Sequence, residues 1–223
     1  MATPAPASSL TATPAPAAPA TNLVFGVTER WRKPVSFLFA AAWLAAALVI
    51  RPAGFQNTLH SLMEMTGFLM LIVAALGRVW AFGYIGGRKN QELCRGGPYS
   101  LTRNPLYVFS FIGVCGAGLA LQSPLLFVTA ALFFLGYYAL VIRAEESRLA
   151  GIFGAAFERY RAEVPRFWPR LRKPESAVEL TIPSRLLQKC LLEVFWFLAA
   201  IVVIDAIEMA KAGQWWPLWH TRF

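Results

Sequence analysis

The fold class predicted for this sequence is an all-α, polytopic membrane protein, and three observations predict it. Of the 223 residues, 57% are hydrophobic and only 15% are charged, against roughly 25% charged in a soluble domain. The apolar residues gather into five continuous runs, several near or beyond the ~20 residues that carry a helix across a bilayer. Lys and Arg fall almost wholly in alternate connections between those runs. A closed barrel is the other way to satisfy a backbone in lipid, but it would show alternating apolar residues rather than continuous runs.

Residues 1–22 are almost entirely Ala, Pro, Thr and Ser, a composition that buries too little surface to order itself. The stretch has neither the basic start of a secretory signal nor the arginines of a transit peptide. A disordered tail is expected over 1–22, a membrane core with a cytosolic segment over 23–189, and an added transmembrane helix with an aromatic tail over 190–223.

The first apolar run, Pro34 to Ile50, follows Arg30, Arg32 and Lys33. The second, about Leu59 to Ile85, contains Glu64 and Arg78. The third is Leu106 to Leu121. The connector Gln122-Ser123-Pro124 is so short that the fourth run, ending near Ile142, must return antiparallel to the third as a helical hairpin. A polar segment from Arg143 to about Lys189, expected to be partly helical, leads to the fifth run, Cys190 to Ala210. About five spans are therefore expected.

Of the 21 basic residues, seventeen lie before the first run, between the second and third, or between the fourth and fifth. The opposite connections hold Arg51, Lys211 and Arg222, and Arg78 lies within a run. By the positive-inside rule the N-terminus is cytoplasmic and the C-terminus lies on the far side. The same asymmetry accounts for the net charge of +9, so nucleic acid is not an expected partner. The composition, rich in Ala and Arg, suggests a high-GC genome and a bacterial inner membrane. Cys94, Cys115 and Cys190 lack the spacing of a disulfide framework or metal knuckle, and no metal is expected. His60 and His220 fall near the far face, away from the polar motifs. Glu64, Glu193 and Asp205 are expected near that far interface, Arg78 deeper, within reach of an acceptor head group. Gly116 and Gly118 suit close helix packing, and Trp215, Trp216 and Trp219 an interfacial belt.

The hairpin should bring two polar clusters together. Gly97-Pro98-Tyr99 and Arg103-Asn104-Pro105-Leu106-Tyr107 precede and open the third run, with Asn104 at a cap position and Pro105 in the first turn. Arg143-Ala144-Glu145-Glu146-Ser147-Arg148 follows the fourth. A helix N-terminus and Arg103 suit a carboxylate or phosphate; Glu145 and Glu146 suit an ammonium or ribose hydroxyls. S-adenosylmethionine combines these groups. Each feature also has a plain structural reading as cap, solvated surface or topology signal.

Taken in order, GPYSLTRNPLY, the hairpin, EESRL and FGAAFERYRAEVPRFWP resemble the isoprenylcysteine carboxyl methyltransferase and phospholipid methyltransferase superfamily over roughly residues 65–170. The resemblance implies an integral-membrane methyltransferase that binds S-adenosylmethionine in a cytosol-facing pocket. It implies that Arg103, Asn104, Pro105 and Tyr107 line the cofactor site, with Tyr99 and Tyr160 as further candidates. It implies that Glu145 and Glu146 hold the cofactor from the other end or take a proton, and that Arg166 closes the pocket or meets the substrate. The chain departs from the superfamily pattern at Asn104, where histidine is usual, and in its fifth run. The acceptor would be lipophilic or amphiphilic, arriving from the membrane lipids, and carry a carboxylate, amine or thiol. Two other readings stay open: an NADPH-dependent sterol or enone reductase, for which the Arg170-Leu171-Arg172-Lys173 run could meet a 2′-phosphate, and a membrane scaffold without enzymatic activity. A transporter lacks support, since no inverted repeat is detectable.

Overall fold

The computed structural model describes residues 19–50, 58–86, 91–174 and 184–212, and among them it shows helices and no strand. They are α1 (Pro19–Val49), α2 (Thr58–Ile85), the single turn α3 (Pro98–Leu101), α4 (Pro105–Ala120), α5 (Pro124–Phe153), α6 (Ala155–Glu163) and α7 (Ser184–Ala212). Four of them, α1, α2, α5 and α7, contain stretches long and apolar enough to cross a membrane. The fifth expected span, α4, has 16 residues, about 24 Å at 1.5 Å per residue. The chain is an all-α polytopic membrane protein, as its apolar runs predict.

The spans are apolar on the outside as well as within. Phe37, Leu38, Leu69, Leu76, Leu132 and Val202 are exposed on the bundle surface, where lipid rather than water would meet them. Residues 1–18, Arg51, Arg88, Lys89, the tryptophans at 215, 216 and 219, and His220 lie outside the described residues.

Two boundaries and the place of one residue differ from those read in the sequence. Helix α1 begins at Pro19, inside the expected tail, and passes through Pro34; that proline forfeits one backbone hydrogen bond without ending the helix. Helix α5 does not stop near Ile142 but continues to Phe153. Its 30 residues span about 45 Å, more than the ~30 Å hydrocarbon core, so its polar end stands clear of the apolar bundle. Hydropathy detects where a helix leaves lipid, not where its hydrogen bonds stop. Third, Glu193 lies on α7 only four residues beyond Lys189, which lines the cavity described below; it belongs to that half of the helix and not to the far one.

Helix α4 sits between α2 and α5, and glycines set both distances. A Cβ on Gly67 of α2 would stand 2.6 Å from the Gly116 carbonyl oxygen, and one on Gly116 would stand 2.8 Å from the Gly67 oxygen. Gly118 faces α5, where a Cβ would lie 2.6 Å from the Phe127 Cα. Without a hydrophobic drive between helices in lipid, such backbone proximity supplies the packing contact. The turn from α4 to α5 places Gln122 at φ +54°; its amide donates to Glu64 (3.1 Å), and Ser123 caps α5 by accepting from the Leu126 N–H.

Gly116→Leu and Gly67→Val should each destabilise the bundle by about 1–3 kcal/mol, the usual cost of overpacking, because backbone atoms cannot step aside. Gly136→Ala should leave it unchanged, since nothing lies within 4 Å of that position. Thermal unfolding in one detergent checks this; an equal loss at Gly136 would remove backbone approach as the cause.

Candidate functional site

The segment Arg95 to Tyr107 is held in place by α6 and the chain that follows it. Gly97 takes φ +56° with its α-carbon against the Tyr84 ring, and a short turn leads to Thr102. The Thr102 hydroxyl donates to the carbonyls of Arg166 (3.2 Å) and Phe167 (2.9 Å). The Arg103 N–H donates to Pro165 and the Arg170 N–H to Leu101. Arg172 donates to the Ser100 carbonyl, and the Tyr160 hydroxyl to the Tyr99 carbonyl at 2.7 Å. Two stretches some sixty residues apart are thereby laced together.

At the centre of this lacing is Glu146, only 6% exposed. Its Oε1 accepts from Arg103 Nε at 2.9 Å and Asn104 Nδ2 at 3.1 Å. Its Oε2 accepts from Arg166 Nε at 2.9 Å and Arg103 Nη2 at 3.3 Å. Arg103 spends its Nη1 on the carbonyls of Arg161 and Val164, and the Asn104 amide also reaches the Arg166 carbonyl at 2.9 Å. Asn104 occupies the N-cap position of α4 but makes no side-chain capping bond; its amide is turned to the carboxylate instead.

A cavity of about 510 Å³ opens beside this hub, within the ~300–1,000 Å³ range of small-molecule sites. Of the residues expected to bind a cofactor, Tyr99, Arg103, Asn104, Pro105, Tyr107, Glu145 and Tyr160 line it. Glu146 and Arg166 do not line it. They are engaged with each other, so of the two adjacent acids Glu145 alone is among the residues that line the cavity. Successive helical residues differ by about 100° in direction, so Glu145 faces the cavity while Glu146 faces the hub.

Glu145 is itself positioned. The Tyr107 hydroxyl donates to its Oε2 at 2.8 Å and accepts from Arg32 of α1 at 3.2 Å. Arg78 also lines the cavity and donates to Ser110 Oγ and the Leu106 carbonyl. The Tyr99 hydroxyl is the exception. Tyr99 is 5% exposed, lines the cavity, and its hydroxyl has no hydrogen-bond partner among the described residues. Burial pushes it well above the usual tyrosine range, with Cys94, Tyr160 and Glu145 adding and Arg78 opposing. Tyr160 is raised likewise, chiefly by burial. Both hydroxyls therefore stay protonated near neutral pH, and that of Tyr99 is a buried donor awaiting an acceptor.

The remaining lining sorts by chemistry. Arg32, Arg148 and Lys189 add positive charge, and Glu92 negative; Phe82, Leu93, Leu149 and Phe153 add apolar surface. The Arg170–Lys173 run is not part of it. Sequence reading missed most of these. Tyr138, Glu145, Leu149 and Phe153 recur at helical spacing and would form one visible face once α5 is carried past Ile142. Arg32 and Lys189 belong to helices distant in sequence, and only packing brings them here.

The family model for phospholipid methyltransferase matches residues 58–156. The nickel-cobalt-cadmium resistance protein NccN of Alcaligenes xylosoxydans xylosoxydans is 35% identical over 188 residues, 84% of this chain and 85% of that protein. The cobalt-zinc-cadmium resistance protein CzcN of Cupriavidus metallidurans is 34% identical over 180 residues, 80% of each. No solved structure matches.

Removing Glu146 would strand Arg103, whose side chain is 6% exposed. Glu146→Ala and Arg103→Ala should each cost about 3–5 kcal/mol, as expected when a buried ion pair loses one member. Arg166→Ala, at a partner 40% exposed, should cost clearly less. Detergent unfolding curves for the three variants test this ranking.

Proposed function

Because the chain belongs to the phospholipid methyltransferase family, we propose that it is an integral-membrane enzyme that transfers a methyl group from S-adenosylmethionine to an amphiphilic acceptor at the cytoplasmic face. The observation that carries the cofactor is the cavity's composition. It offers cations for a carboxylate, Glu92 and Glu145 for an ammonium, and apolar side chains for an adenine. The orphaned hydroxyl of Tyr99 supports a polar ligand, since a buried donor left without an acceptor costs about 1–3 kcal/mol. When bound, S-adenosylmethionine supplies a methyl carbon made electrophilic by its sulfonium.

The chain's own contribution is binding, orientation and exclusion of water. The Glu146 hub fixes the cavity wall before any ligand arrives. Positioning of reactants in this way supplies about 7–11 kcal/mol toward a barrier. The Arg32–Tyr107–Glu145 series holds the Glu145 carboxylate at the cavity surface, where it would take the proton of an ammonium or thiol acceptor. A carboxylate acceptor would need no base. The apolar flank formed by Phe82, Leu149 and Phe153 excludes water, which favours a reaction that disperses or neutralises charge.

The acceptor's physiological setting comes from the relatives. Both carry names that assign them to resistance against cobalt and cadmium together with nickel or zinc. We take the methyl transfer to serve a cell under metal load, with the bilayer as the source of the acceptor.

Calorimetry on the detergent-purified chain tests the reading. S-adenosylmethionine should bind saturably and NADPH should not. Tyr99→Phe should weaken binding about 2- to 10-fold, the worth of one hydrogen bond, without loss of stability, because the hydroxyl has no partner to lose. Glu145→Gln should weaken it further. Binding of NADPH alone would replace the methyltransferase with a reductase; binding of neither would leave a scaffold.

A further inference from the structure

We propose that a small pocket between α5 and the segment after α6 binds the phosphate head group of an anionic membrane phospholipid, with Arg143 and Arg166 as its cations. Neither arginine lines the polar cavity, and the inference does not depend on the methyltransferase reading.

The pocket encloses about 200 Å³, below the ~300–1,000 Å³ of sites that hold a whole small molecule. Phe134, Leu135, Tyr138, Ala139 and Ile142 of α5 form one side, and Phe167 and Trp168 the other. A third helix ties the two sides together. The ring of Phe111 on α4 lies 5.6 Å from that of Phe134, 5.8 Å from Phe167 and 6.1 Å from Trp168. The pocket is thus built by packing between separate elements.

Its charged groups are the two arginines, and no acid lines it. Arg143 is exposed and makes no hydrogen bond or ion pair among the described residues. Arg166 spends its Nε on Glu146 at 2.9 Å, and its terminal nitrogens have no partner among the described residues. Glu146 is already shared with Arg103, and Glu145 faces the cavity. One carboxylate therefore serves two guanidiniums, and Arg143 adds a third cation beside them. A phosphate would supply the missing negative charge, and its oxygens match the planar guanidinium fork.

The surroundings select a lipid over a free anion. Phe134 to Ile142 belong to a membrane span, and Arg143 directly follows their apolar run, the level at which head groups lie. Beyond the pocket, Trp168 is 66% and Leu171 104% exposed, in a stretch that also carries Arg166, Arg170, Arg172 and Lys173. Exposed Trp and Leu among basic residues suit the bilayer interface, where the apolar groups leave water and the cations meet anionic head groups. A zwitterionic lipid would bring its ammonium to a pocket that no acid lines, so the favoured head group carries net negative charge. Binding at the terminal nitrogens of Arg166 would leave its Nε bond to Glu146 in place and brace the hub that fixes the cavity wall.

The test uses the full chain in a neutral detergent, read by native mass spectrometry and by thermal unfolding. Phosphatidylglycerol should bind saturably, about tenfold more tightly than phosphatidylcholine, and should raise Tm. Arg143→Gln should lower phosphatidylglycerol affinity about tenfold, or ~1.4 kcal/mol. It should leave the lipid-free Tm and S-adenosylmethionine affinity unchanged, since Arg143 has no partner to lose and does not line the cavity. Arg159→Gln removes one exposed charge outside the pocket and should change nothing. Ala139→Glu places a carboxylate one turn before Arg143; it should also weaken binding, and it decides the matter if Arg143→Gln fails to fold. Equal retention of the two lipids, equal losses at Arg143 and Arg159, or unaltered affinity in the pocket variants would overturn the proposal. Inorganic phosphate that binds as tightly as phosphatidylglycerol would make the pocket a free-anion site and overturn the lipid assignment.

Discussion

Glu146 is buried at the end of α5, and its two oxygens accept from Arg103, Asn104 and Arg166. These partners come from the loop before α4 and from the segment after α6. The carboxylate is therefore the point where three stretches of chain meet. A charge removed from water is costly unless its lone pairs are filled by opposite charge and hydrogen bonds. Here they are filled, and any displacement of one stretch would unmake several bonds at once. The position of the cavity wall follows from this, since Tyr99, Arg103 and Asn104 reach it only because the loop is held.

The same geometry gives the two acids of the adjacent pair different surroundings. Helical geometry sends Glu145 to the cavity and Glu146 to the hub. Glu145 is kept in place by a tyrosine that is itself held by an arginine from the first helix. Such chains of side chains rigidify a site when every member is satisfied. The Tyr99 hydroxyl, alone among these groups in lacking a partner among the described residues, is left for whatever enters.

A membrane-embedded site must serve two solvents. The polar cavity lies at the end of the bundle where the helices emerge, and an apolar chamber lies between the spans, with Tyr138 common to both. A tyrosine suits that boundary because its ring is apolar and its hydroxyl is not.

The apolar runs determined the helical class, the spans and the hairpin of α4 and α5, because hydropathy and a three-residue connector leave no other arrangement. The motif residues from Tyr99 to Tyr107 and the pair at 145 and 146 were legible as polar groups destined for one end of that hairpin. Sequence alone could not divide the two glutamates between roles, since that depends on α5 staying helical past the point where its apolar residues stop. Nor could it bring Arg32 and Lys189 to the cavity or build the chamber beside it. Those follow from how α1 and α7 pack against the central helices, and packing is set by close backbone approach and side-chain shape, which leave no local pattern along the chain.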